Sequence, residues 1–174
     1  MEKLIKAWFI VTLIAFVIFK LGEVMTTPYS ETPNEGNVYW IVLLIGWPSE
    51  TPNEGNVYWI VLLIGWPFLL LFIWITVRMT RRVTASVRPI GRVVLGLGSL
   101  IMAGIAWVTN QSQATSLREG IRSSTNESFA EGWNQFTNII YMNQLTFFFL
   151  TVSCMGVGIV LSFIPTKKQR EEAV

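Results

Sequence analysis

The chain contains no histidine, all eleven of its acidic residues are glutamate, and it has one cysteine. These absences remove whole classes of chemistry. Without imidazole there is no histidine-ligated haem, no histidine proton relay and none of the usual zinc sites. A single cysteine closes no internal disulfide, and Cys154 stands inside an apolar run, where a small inert side chain is its expected role. Charge is scarce too: 14% of the 174 residues are charged, against roughly a quarter in a soluble domain.

What is present is apolar and arrives in blocks. Hydrophobic residues make up 52% of the chain, and the mean hydropathy is +0.49. Short polar segments between the blocks hold nearly all the charge, as expected when lipid is one of the solvents. The expected fold class is an all-α integral membrane protein, one membrane domain with four transmembrane helices near residues 4–25, 57–77, 93–109 and 143–164.

The first run, "AWFIVTLIAFVIF", follows the charged start "MEKLIK", as in a secretory signal peptide. The following "KLGEVMTTPYS" offers no small-x-small cleavage site, so an uncleaved signal-anchor helix is expected, with Lys6 and Lys20 snorkelling to opposite interfaces. The second, "VYWIVLLIGWPFLLLFIWITV", is about 31 Å long as a helix, close to the hydrocarbon thickness. Tyr58 and Trp59 anchor one end, and Arg78, Arg81 and Arg82 form a basic stop at the other. Pro67, mid-span, removes a backbone hydrogen bond and is expected to kink the helix.

The third and fourth runs carry small residues at helical spacing. Gly96, Ser99, Ala103 and Ala106 share one face of the third; Cys154, Gly158 and Ser162 form a stripe on the fourth. These stripes are expected to be helix-packing faces, most simply for one another.

Cytoplasmic loops are enriched in Lys and Arg. Both termini and the 78–92 connection placed inside put ten of the thirteen basic residues there, with eight of the eleven glutamates outside. An N-in, C-in protein of the cell (cytoplasmic) membrane is therefore expected, and these features suit a bacterial one. The connection "RMTRRVTASVRPIGR" is expected to form a short amphipathic elbow that enforces topology. Arg78, Arg81, Arg82, Arg88 and Arg92 are its candidates for binding anionic lipid headgroups.

The external loops, 26–56 and 110–142, hold the strangest and the longest polar features. "SETPNEGNVYWIVLLIGWP" occurs twice in succession without a change, as residues 30–48 and 49–67. Only the second copy continues into "FLLLFIWITV" and completes a span. The first has about ten apolar residues, roughly 15 Å of helix, and is expected to form a re-entrant or interfacial segment. Natural repeats diverge and need at least about three units to share a core. A recent tandem duplication, an engineered insertion or an error of record each fits better than a functional repeat.

The second external loop contains three possible helix-capping pairs, Ser116 with Glu119, Ser124 with Glu127 and Ser128 with Glu131. Leu117, Ile121, Trp133 and Phe136 are spaced to form an apolar stripe on broken helices, which makes this loop the candidate recognition surface. Asn110 and Asn126 match the glycosylation acceptor pattern. The glutamates of the first external loop are not expected to form a cation site, because a proline-broken loop does not guarantee the convergent oxygen ligands that one requires.

No lysine, arginine or glutamate lies within the second, third or fourth span, which weighs against a coupled transporter acting alone. The expected function is a non-catalytic accessory, assembly or regulatory subunit packing against a larger membrane complex. The alternative is an oligomeric pore or small transporter, with Thr146, Thr151 and Ser153 of the fourth span as lining. Partners are membrane lipids and either a partner membrane protein or further copies of the chain. Neither a cofactor, a metal nor nucleic acid is expected.

Overall fold

The computed structural model describes residues 2–26, 58–124, 130 and 136–165, and among them the regular structure is entirely helical. Five helices are present among the described residues: α1 (Glu2–Val24), α2 (Tyr58–Ala85), α3 (Pro89–Ser124), the single turn α4 (Asn138–Tyr141) and α5 (Gln144–Leu161). Among the described residues four helical segments are long and apolar enough to cross a membrane, namely α1, α2, α3 and the stretch Asn138–Leu161. The duplicated segment up to Val57, with its expected re-entrant element, lies outside the described residues, as do Trp133 and the capping pairs built on Glu127 and Ser128.

Two helices run well past their expected ends. The second span, expected to stop near residue 77, continues as helix to Ala85, and the third, expected over 93–109, starts at Pro89 and continues to Ser124. The expected basic connection of 78–92 is thereby reduced to a turn over Ser86, Val87 and Arg88. Helix ends are set by backbone breakers and capping, whereas span ends are set by hydropathy. "RMTRRVTA" is polar enough to leave lipid but contains no breaker, so α2 continues through it. Pro89 restarts the helix at a first-turn position, where its missing N–H costs nothing. Beyond Thr109, "NQSQATSLREGIRSS" likewise holds no proline, and the helix persists. The Ser116–Glu119 pair therefore sits inside α3 rather than at a helix start.

The long helices are arranged in the spatial order α1, α2, α5, α3, with α5 between α2 and α3. Val11, Ala15, Ile18 and Phe19 of α1 pack on Leu62, Leu69, Phe72 and Ile75 of α2. The Phe147 ring of α5 lies 5.5 Å from those of Phe16 and Phe19 and 5.6 Å from that of Phe72, joining the three helices. Trp8 Nε1 donates to Thr76 Oγ1 at 3.1 Å, a polar bridge between α1 and α2. Gly65 gives room to Ile18, whose Cδ1 would lie 2.7 Å from any Cβ there. Pro67 is exposed, two residues further on, and α2 continues through it.

Candidate functional site

Three places hold the residues expected to act. The first is the seam between α3 and α5. Gly96, Ser99 and Ala103 border the groove between α3 and α5, and Ala103 and Ala106 are buried. A Cβ on Gly96 would be 3.6 Å from Ile159 Cγ2, and one on Gly156 would be 3.0 Å from Ser99 Oγ. The α5 stripe divides differently from expectation. Gly158 turns to α2, where a Cβ would stand 2.7 Å from Thr80 Cβ and 2.8 Å from the Val77 carbonyl oxygen. Cys154 and Ser162 are buried, and the Ser162 hydroxyl donates to the Ile159 carbonyl at 2.6 Å. Because α5 is flanked on both sides, its small residues serve two neighbours: Gly158 admits α2 and Gly156 admits α3.

The α2 side chain that faces Gly158, Thr80, belongs to a polar row. Thr76, Thr80 and Thr84, four residues apart, are all buried, and Thr84 Oγ1 donates to the Thr80 carbonyl at 2.7 Å. This stripe was legible in the spacing, but threonine among arginines and valines reads as ordinary interfacial sequence.

The second place is the arginine end of the bundle, where α2, α3 and α5 meet. Helix C-termini expose unpaired carbonyls with partial negative charge, and arginines take them up. Arg92 donates through Nη2 to Ala85 O at 2.6 Å, through Nε to Val87 O at 2.8 Å and through Nη1 to Ser162 O at 2.9 Å. Arg81 Nη2 donates to Ile164 O at 3.0 Å. Arg92 thus clamps the α2–α3 turn to the end of α5. Arg78 is exposed with its guanidinium 5.0 Å from the centre of the Trp74 ring, and Arg82 and Arg88 are exposed. The five expected headgroup residues therefore fall into two groups: Arg81 and Arg92 hold carbonyls, while Arg78, Arg82 and Arg88 stand outward.

The third place is the opposite end. Asn143 caps α5, its Oδ1 accepting from Thr146 N at 2.9 Å and from Thr146 Oγ1 at 3.0 Å. Its Nδ2 donates to Asn110 Oδ1 at 2.7 Å and to the Ile139 carbonyl at 2.6 Å. Asn110 Nδ2 reaches the Ile140 carbonyl at 3.4 Å. Asn110 is buried by this network, so its side chain is not presented as a glycosylation acceptor; Asn126 lies outside the described residues. A cavity of about 390 Å³ opens beside the two asparagines, bordered by Glu23, Gln113 and Gln144. Glu23 is paired there with Lys20 Nζ at 2.8 Å, as their three-residue spacing predicts. The expected apolar stripe is present in part: Ile121 and Phe136 are buried together with Ala130, and Leu117 packs against them.

Of the hydroxyls considered as pore lining, Thr146 and Thr151 bond within their own helix region, Thr151 to the Phe147 carbonyl at 2.8 Å, and Ser153 faces the α3–α5 groove. Among the described residues, no group of three or more metal-ligating side chains comes together. No family model, curated protein or solved structure matches the chain.

Proposed function

We propose that the chain is a multi-pass protein of the cell membrane, N-in and C-in, acting as a non-catalytic accessory or assembly subunit of a larger membrane complex. The observation that carries this reading is the continuation of α3 beyond Thr109. About 15 further helical residues, roughly 22 Å, extend from the apolar part as a rigid rod rather than a loop. Its inner stripe, Ala114, Leu117 and Ile121, is covered, while Gln111, Ser112, Gln113, Thr115 and Ser116 are exposed. A helix fixed in this way offers a partner a preordered polar surface, which lowers the ordering cost of association.

Further down, α3 supplies a place for a partner within the membrane. Among the described long helices its main packing is against α5, and Ile101 and Val108 are 62% and 67% exposed. A Cβ at Gly98 or Gly104 would meet nothing within 4 Å. Small residues with open space beside them allow a neighbouring helix to approach closely. Photo-crosslinking from Ser112 and Gly98 in native membranes tests the proposal. Adducts with a second membrane polypeptide are expected from both positions; adducts with further copies of this chain alone would favour the oligomeric pore.

A further inference from the structure

Two cavities meet at the arginine end. One, of about 450 Å³, lies between the ends of α2 and α5 and is bordered by Arg78, Arg81, Arg82 and Arg92. The other, of about 610 Å³, is a largely apolar groove between α3 and α5 that runs from Arg92 past Gly96 and Leu100 to Ala103. Arg92 and Phe163 border both, the guanidinium lying 5.6 Å from the ring centre.

Charge and length both constrain what fits here. The ion pairs Lys6–Glu2 and Lys20–Glu23 are both on α1, and among the described residues no carboxylate pairs with the four arginines. Gathered cations repel one another, more strongly where the dielectric falls. From Arg92 to Ala103 the axis of α3 rises about 16 Å, half of a hydrocarbon core of roughly 30 Å. The groove is therefore about one leaflet deep and begins at the cations.

We infer that the paired cavities form a site for one anionic phospholipid, its phosphate among Arg78, Arg81 and Arg82 and one acyl chain laid past Phe163 into the α3–α5 groove. Arg92, committed to three backbone carbonyls, holds the common wall. Arg78 and Arg82 make no hydrogen bond to the described residues, so their guanidinium groups are available to phosphate oxygens. A free phosphate would use only the basic cavity, and a zwitterionic lipid would bring its own cation to the arginines. The inference rests on the helices crossing a bilayer and is independent of a protein partner.

The test is native mass spectrometry of the full chain, delipidated in mild detergent and then offered phosphatidylglycerol, phosphatidylcholine of the same acyl chains, or glycerol phosphate. One phosphatidylglycerol per chain is expected, retained at about tenfold lower concentration than phosphatidylcholine. Glycerol phosphate is expected not to displace it. The double variant Arg78→Gln/Arg82→Gln should lose the preference with an unchanged unfolding midpoint. Gly96→Leu, whose Cβ has ordinary contact distance to Ile159, should fill the groove and weaken retention. Equal retention of the two lipids, a preference that survives the arginine changes, retention untouched by Gly96→Leu, or displacement by glycerol phosphate would each overturn the inference.

Discussion

Gly158 lies so close to Thr80 that a Cβ added to the glycine would stand 2.7 Å from the threonine Cβ, with the Val77 carbonyl oxygen 2.8 Å away on the same side. One of those neighbours is backbone, so the contact cannot be relieved by a rotamer change alone. Gly158→Ala is expected to separate α2 from α5 and to cost about 1–3 kcal/mol, the usual range for overpacking. Gly98→Ala, with open space around it, should be neutral or stabilising by up to about 1 kcal/mol, because it removes a helix-interior glycine. Unfolding midpoints in detergent distinguish the two.

Asn143 both caps α5 and holds Asn110 of α3. Asn143→Ala removes the acceptor for Thr146 N–H and leaves Asn110 short of a donor, and should destabilise by about 1–2 kcal/mol. Asn143→Ser retains a capping oxygen and should recover part of that loss. Circular dichroism during denaturation reads both.

The four apolar helices were legible because hydropathy over about 20 residues is a strong signal, and the small-residue face of α3 followed from three- and four-residue spacing. What could not be read was where each helix ends and which neighbour each small residue meets. Gly156 and Gly158 are two positions apart and face opposite partners, a consequence of α5 lying between α2 and α3 that no local pattern encodes. Similarly, Arg92 resembles any interfacial arginine until the turn at Ser86–Arg88 and the end of α5 bring three carbonyl groups around it.

The first copy of the duplicated segment lies outside the described residues, and only the second copy continues into "FLLLFIWITV". Deleting residues 30–48 leaves a complete second span, "VYWIVLLIGWPFLLLFIWITV", and the same polar sequence before it. The deletion variant is expected to insert and unfold at the same midpoint as the full chain. A large loss of stability would assign the first copy a structural role.

Orientation is open to labelling, since Cys154 is buried and should stay silent to a membrane-impermeant maleimide. Ser86→Cys in the exposed turn and Gln113→Cys on the projecting part of α3 report opposite ends of the bundle. Cells should label Gln113→Cys from outside and Ser86→Cys only after lysis. The reverse pattern would place the arginine end outside, against the bias of the basic residues.

The most direct test of the accessory-subunit proposal is the native mass of the assembly extracted in mild detergent, followed by dissociation and weighing of its chains. A complex containing this chain together with at least one different membrane polypeptide, in fixed proportion, is the predicted result. A particle made only of this chain, with no other polypeptide retained, would contradict it.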